Sequence, residues 1–399
     1  MLVVQATVSV VLVAGSTMLG RSLNKLEHQD FGYQVPGRVV VSLNAPPASY
    51  TQPRLIALYR QLEQEMLQIP GVRGAGLAMY NPLTDNWGEL VIVEGHPQRQ
   101  EDAGSSWDRV TPDYLKNFGM QVLRGRGLTA ADNETTAPVA VVNEAFVKRF
   151  FRNDEDPLEQ HFGIDLPENA STIRIVGIVR DAKFAGFALD KPARPMFYVP
   201  LSQTVNYQHE LLKKIELRSH FMGGLMLVTD LPTGQLEALL TRKLADLDPN
   251  LTFNSVRTMT QQVELSFDQE RAVASLAGLF GIVALLLAAV GLYGVTAYSV
   301  AQKTNEIGIR MALGADRLRV MKMVLHGAFA RVLVGLLLGL PLAVGAGKLL
   351  SAQLYGVKWW DPLALLIAAG ALALCSFVAA MIPANRAAGI APMKALRIE

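Results

Sequence analysis

Four long apolar runs, and the unequal spacing between them, constrain this chain more than any other feature. They cover residues 1–20, 276–301, 332–350 and 364–382, with one long, mostly polar stretch between the first and the second. Each is near the ~20 residues that an α-helix needs to cross ~30 Å of hydrocarbon. Backbone amides in lipid must be satisfied within the segment, so such runs are helices. The pattern predicts an integral membrane α-helical protein with four transmembrane helices arranged 1+3. A large α+β extracytoplasmic domain is inserted between helices 1 and 2. A cleaved signal peptide is the rival reading of residues 1–20, but no basic region precedes the run and no A-x-A-like site stands near 15–20.

Composition removes several classes. Half of the residues are hydrophobic, with a mean hydropathy of +0.24, which excludes disordered and collagen-like chains. Lys and Arg number 37 against 35 Asp and Glu, so there is no nucleic-acid electrostatic footprint. The single cysteine, Cys375, lies in the last apolar run and reads as a packing residue. One cysteine allows neither an intrachain disulfide nor a Cys-rich metal site.

Lys303, Arg310, Arg317, Arg319 and Lys322 crowd the link between the second and third helices, and Arg386, Lys394 and Arg397 follow the fourth. The link at 351–362 holds only Lys358, with Lys348 just before it. Lys and Arg concentrate on cytoplasmic loops, so the first two segments face the cytoplasm and the insert faces outward. Tyr355, Trp359 and Trp360 fit an interfacial aromatic belt. Arg21 and Lys25, which follow the first helix, argue the other way. Long domains translocate largely regardless of charge, and the other helices decide.

Inside the insert, residues 38–43 alternate as a strand. Residues 52–68 form a helix on Leu55, Leu58, Leu62 and Met66, closed by Pro70-Gly71, and 74–79 is the next strand. Near the other end, 214–218, 225–229 and 252–256 read as strands and 232–247 as a helix. The expected organisation has a core domain over 21–258. Its α+β subdomain is built from 38–80 plus 212–258, and a second subdomain, 82–208, is inserted into it. Residues 259–275 read as a stalk helix running on into the second membrane helix. The last part is 276–399, with a cytoplasmic segment at 302–323.

Familiar chemistry is missing. Gly347-Lys348 lacks the first glycine of a P-loop and is followed by leucine. Gly71-Val-Arg-Gly-Ala-Gly76 has the wrong spacing and context for a dinucleotide turn, and reads as a turn only. His28, His96, His161, His209, His220 and His326 are scattered, with no HExxH. No local nucleophile signature appears. The acidic run 153–156 reads as a solvated loop, and Arg124-Gly-Arg-Gly127 as a turn. No acidic residue lies inside the apolar runs, which argues against a transporter powered by ions. Gly335-Leu-Leu-Leu-Gly339 permits close helix packing, a dimer contact being one reading, and Pro341 is expected to kink its helix.

The sharpest signal is Thr304-Asn-Glu-Ile-Gly-Ile-Arg-Met-Ala-Leu-Gly-Ala315. It opens on an N-cap residue and stops at Gly314. Glu306 and Arg310 sit at i,i+4 and can pair, while Ile307, Met311 and Leu313 offer a short apolar surface. A helix lying on lipid headgroups and a helix plugging into a soluble partner both fit.

At these residues the chain resembles the MacB-like/FtsX-like ABC transporter permeases, called type VII. Residues 303–315 look like that family's coupling segment, and Ile382-Pro-Ala-Asn-Arg-Ala-Ala-Gly-Ile-Ala-Pro-Met-Lys-Ala-Leu-Arg397 is similar to its C-terminal signature. Val110-Thr-Pro-Asp-Tyr-Leu115, Val139-Ala-Val-Val-Asn-Glu-Ala-Phe146 and Ile175-Val-Gly-Ile-Val-Arg-Asp181 look like its periplasmic core domain. The resemblance covers nearly the whole chain. It is nearest to one half of the duplicated permeases found in acidobacteria. The chain opens almost at its first membrane helix, unlike the family's usual short cytoplasmic lead-in, which leaves a half-size subunit and a shortened chain both open.

The resemblance implies a bacterial cytoplasmic (inner) membrane location with the large domain in the periplasm. It implies a second permease half (a second copy or a paralogue), contact with membrane lipid, and a periplasmic adaptor as a further candidate partner. It also implies no catalytic residue, no metal and no cofactor in this chain, ATP being bound by a separate ABC ATPase subunit. Glu306, Ile307, Arg310, Met311, Gly314 and Ala315 are the expected coupling residues, and Gly335 and Gly339 the expected packing residues. Rival readings are lipoprotein release, control of a cell-wall hydrolase, a sensor or structural membrane protein without an ATPase, and a membrane-bound enzyme.

Overall fold

The computed structural model describes every residue except 85, 97–102, 153, 185–188, 314 and 390–399. It divides into a helical unit, Met1–His28 with Phe267–Glu399, and an inserted unit, Gln29–Ser266. The chain opens with helix α1 (Leu2–Glu27).

The inserted unit has two lobes. The first interleaves β1 (Arg38–Leu43), α2 (Gln52–Leu67) and β2 (Val72–Ala78) with three elements from the far end of the insert. The strands in between are β3 (Trp87–Val93), β4 (Gly104–Val110), β5 (Val122–Gly125), β6 (Val139–Asn143), β7 (His161–Ile164), β8 (Ile173–Val179) and β9 (Met196–Pro200). Helices α3 (Tyr114–Phe118), α4 (Glu144–Phe150) and α5 (Glu210–Ser219) separate some of them. Then β10 (Gly224–Thr229), α6 (Thr233–Leu247) and β11 (Phe253–Thr258) complete the first lobe.

Its strand order is β11–β1–β10–β2, all antiparallel, which is a β-α-β-β-α-β unit split in the middle. Register puts Val41 and Leu77 on either side of Leu225, and Val39 and Ala75 on either side of Leu227. That apolar face takes Leu55, Tyr59, Leu62 and Met66 of α2 and Leu236, Leu240 and Leu244 of α6. Both helices repeat their buried residues at three- and four-residue spacing, as one-sided burial requires.

The second lobe closes on itself. Strands β4, β3, β7, β8, β6 and β9 pair in a ring, and a parallel β9–β4 ladder completes it, while β5 adds to β8. Closure removes the free sheet edges that invite wrong pairing. Trp107, Phe146, Phe162 and Phe197 fill the interior, with ring centroids 5.0 Å apart for Phe162 and Phe197. The lobes meet where Ala78 of β2 pairs with Val110 of β4.

Several local expectations need correction. Residues 214–218 are part of α5, not a strand, because Leu212, Glu216 and Ser219 share one buried helical face. The stretch 71–76 is a turn only at Gly71 (φ +93). From Val72 it is strand, and a Cβ at Gly76 would lie 2.9 Å from Tyr114 Cα. The acidic run is a largely exposed loop over 154–156, as read, with Glu155 meeting His96 at 2.8 Å and Asp156 meeting Arg124 at 2.9 Å, while Asn153 lies outside the described residues. The stalk expected at 259–275 is not one helix. Helix α7 (Met259–Leu265), opened by a Thr258–Gln261 capping box, stops before Ser266. Phe267 leaves helical geometry (φ −118, ψ 19), and α8 (Asp268–Gln302) starts anew.

In the helical unit, α1 packs on α8, on α10 (Arg317–Leu349) and on α11 (Pro362–Ala388), and a short helix α9 (Thr304–Ala312) joins α8 to α10. These four long helices are apolar and long enough to cross a membrane, and they extend past the apolar runs read from the sequence. Small residues fill the interior, among them Ala6, Ala14, Ala288, Ala328, Ala343 and Ala368. Large ones such as Phe280, Leu286 and Leu287 of α8 point outward. Lipid offers no hydrophobic drive between helices, so close van der Waals packing through small side chains has to supply it. Gly335 and Gly339 are part of this packing. A Cβ at Gly335 would lie 2.5 Å from Ala6 Cβ, and one at Gly339 would lie 3.0 Å from Val10 Cβ. Thr7 Oγ1 also donates to Gly335 O at 3.3 Å. The close approach is therefore made to α1 of the same chain, so the dimer reading of this motif gives way. Pro341 lies within α10.

Candidate transmission surface

Helix α9 is held by one face. Lys303 breaks the helical path (φ −98, ψ 12), and Thr304 turns its hydroxyl back to Val300 O and Ala301 O at 3.1 and 2.8 Å. Thr304 therefore finishes α8 and does not cap α9, contrary to the N-cap expectation. Ile307 is 1% exposed, packed on Val320 of α10 and Ala387 of α11, with Met311, Met323 and Val324 around it. It is an internal anchor and not part of an exposed apolar surface. Met311 is half-buried in the same cluster.

The opposite face is open. Leu313 is 82% exposed, and Ile309 and, at the start of α10, Leu318 are exposed as well. Glu306 Oε1 and Arg310 Nη2 lie 2.6 Å apart, both about half exposed, and Arg310 Nη1 lies 2.7 Å from Met323 Sδ. Ala315 donates its N–H to Arg310 O at 3.0 Å, and Asp316 caps α10 by accepting from Arg319 N at 2.9 Å. Gly314 lies outside the described residues. Glu306, Ile307, Arg310, Met311 and Ala315 thus share one short turn of structure, but only the first and third of these present charge to the outside. Ile309 and Leu318 were not singled out from the sequence. Ile309 and Leu313 form a second i,i+4 stripe beside that of Ile307 and Met311, and spacing alone does not say which stripe faces in.

The far end of the bundle is also tied. Helix α8 has 35 residues and spans about 50 Å at 1.5 Å per residue, so its two ends lie on opposite sides of the apolar zone. At the end away from α9, Arg271 Nη2 meets Glu27 Oε1 of α1 at 2.6 Å. Arg21 meets Asp361 at 2.9 Å, Tyr355 N donates to Ser22 Oγ at 2.8 Å, and Lys25 donates to Gly356 O. Near α9, Arg386 of α11 donates to Tyr293 OH of α8 at 3.1 Å. Among the described residues no group of three His, Cys, Asp or Glu is placed to hold a metal ion.

Residues 6–238 match the MacB-like periplasmic core domain, and residues 278–392 match the FtsX-like permease C-terminal domain. The chain belongs to the MacB-like/FtsX-like permeases. It is 26% identical over 314 residues to the macrolide export ATP-binding/permease protein MacB of Chlorobaculum tepidum, covering 78% of this chain and 46% of the relative. It is 26% identical over 298 residues to the uncharacterized ABC transporter permease YvrN of Bacillus subtilis, covering 73% and 69%. It is 25% identical over 286 residues to the pyoverdine export ATP-binding/permease protein PvdT of Pseudomonas savastanoi, covering 71% and 41%. The chain spans about half the length of the MacB relatives it matches. The crystal structure of the periplasmic region of MacB from Actinobacillus actinomycetemcomitans aligns with 15% identity and a TM-score of 0.38, over 61% of this chain and 98% of that one. In this MacB-like permease the inserted unit is of periplasmic type, and α9 falls within the FtsX-like match.

Proposed function

We propose that this MacB-like permease is the membrane subunit of an ABC-type machine in the bacterial cytoplasmic membrane, passing ATP-driven movement from a cytoplasmic ATPase partner to the periplasmic unit. The partner binds the ATP, and this chain contributes no catalytic group. A second permease half, a copy or a paralogue, faces an ATPase pair. The partner pushes on α9, and Ile307 carries the push into α8, α10 and α11. The relatives named for macrolide and pyoverdine export support an outward direction of work. The observation that carries the reading is a short helix anchored inward by Ile307 while Leu313 and the Glu306–Arg310 pair remain open on its other side.

Reversing Arg310 tests it. Arg310→Glu places two carboxylates at i,i+4 and removes the pair. Co-reconstituted with its ATPase, the variant should insert normally but lose severalfold in permease-stimulated ATP hydrolysis. Unchanged stimulation would remove α9 from the coupling path.

A further inference from the structure

The inserted unit holds an open cleft of ≈ 880 Å³ between its two lobes. Helix α2 and strand β2 form one wall, the β4–α3 turn forms the floor, and the segment 128–135 forms the other wall. Its lining holds three cations and three carboxylates, and they are not paired one to one. Arg60 of α2 is occupied by Glu134 at 3.7 Å, and Arg73 of β2 by Asp230 at 2.7 Å. Lys116 of α3 is the remaining cation, set against two carboxylates, Glu63 of α2 and Asp113 at the start of α3. Neither of these forms an ion pair among the described residues.

Glu63 is fixed in place. Thr111 Oγ1 accepts from Leu77 N at 3.0 Å and donates its one proton to Glu63 Oε1 at 2.7 Å. Among the described residues no donor reaches Oε2. Burial, opposed by the Thr111 hydrogen bond and reinforced by the Asp113 charge, pushes Glu63 up to about 7. Ile56, Leu67, Leu128 and Leu201 give the cleft an apolar lining beside these groups. A hard metal ion such as calcium takes ~6–8 oxygens, more than this site offers. A cation with an apolar body matches both halves of the lining.

We propose that the inter-lobe cleft binds a small amphiphilic organic cation, with its charged nitrogen against Glu63 and Asp113 and its body on Ile56, Leu128 and Leu201. A bound cation favours the ionised carboxylate. Glu63 must therefore lose its proton for full affinity, and binding strengthens as pH rises through about 7. The other charged groups lining the cleft with Glu63 are Arg60, Arg73, Lys116, Asp113 and Glu134. The assignment is independent of the coupling reading, since it needs no ATPase.

The full chain in zwitterionic lipid nanodiscs is titrated with dansylcholine, a permanent cation, and with its neutral 3,3-dimethylbutyl isostere, subtracting empty nanodiscs. Saturable binding is expected, with the cation preferred at pH 8 and its affinity about tenfold lower at pH 6, following the ionised fraction of a group near 7. The neutral probe stays flat across the same range. Glu63→Gln should abolish that pH response and most of the preference, and Asp113→Asn should weaken the preference. Equal affinity for the two probes in the unaltered chain, or no saturable binding, overturns the proposal without any variant. A Glu63→Gln chain that keeps the pH response, or an Asp113→Asn chain as selective as the parent, overturns it as well.

Discussion

Arg109 is 2% exposed, in the strand that joins the two lobes. A buried guanidinium is tolerable only when its donors are met. Here Nε donates to Ser219 Oγ, Nη1 to Pro200 O and Gln203 O, and Nη2 to Glu216 Oε1 at 2.8 Å. His220 stands beside this pair as a neutral ring. Burial, together with the nearby Arg109 charge, pushes it down to about 3. Its Nδ1 meets Glu216 O at 2.9 Å and its Nε2 meets Gln52 Nε2 at 3.1 Å, which fits a proton on Nδ1 and an acceptor at Nε2. Glu216→Ala leaves Arg109 buried without its counter-charge, and we predict a loss on the order of 3–5 kcal/mol in unfolding of the inserted unit. Glu216→Gln keeps an acceptor and should lose less. A Glu216→Ala chain that melts like the parent would mean that water reaches Arg109. None of this network was legible beforehand. Arg109 and Glu216 are 107 positions apart, and Lys214-Ile-Glu-Leu-Arg218 alternates as a strand would until its buried partner is known.

At the scale of elements, legibility followed locality. The helix at Gln52–Leu67 and the strand at Arg38–Leu43 were readable because one-sided burial prints a period in adjacent residues. The closed ring was not. Strands β6 and β9 are buried at every position, so they show no alternation, and the ring depends on a β4–β9 ladder between residues about ninety positions apart. Helix α9 lies between these cases. Its existence and its Glu306–Arg310 pair came from spacing, but the choice of buried stripe is a tertiary fact. That choice has separable consequences. Ile307→Ala should cost about 2–4 kcal/mol by opening a cavity among Val320, Ala387 and Met323, read as a lower thermal midpoint of the purified chain. Leu313→Ala, at an open position, should stay within about 0.5 kcal/mol of the parent yet reduce stimulated ATP hydrolysis. The reverse pattern would show that the stripes are assigned the wrong way round.

Across the whole molecule, the two units share only two covalent links, at residues 28–29 and 266–267. Neither is a continuous helix: α1 ends at Glu27, and the break at Ser266–Phe267 separates α7 from α8. The rigid stalk read from the sequence is therefore replaced by two helix ends that must be kept together by side chains. The Glu27–Arg271 pair does this at the last turn of α1 and the first turn of α8. Partial exposure limits such a pair to roughly 1 kcal/mol, too little to hold the bundle by itself. Arg271→Glu or Glu27→Arg alone should lower stimulated ATP hydrolysis, and the double exchange should restore it, because the interaction depends on opposite charge and not on which helix carries which sign. If the exchanged pair works no better than the single reversals, each residue acts through other neighbours. The proposed transmission would then have to reach the inserted unit without the Glu27–Arg271 tie.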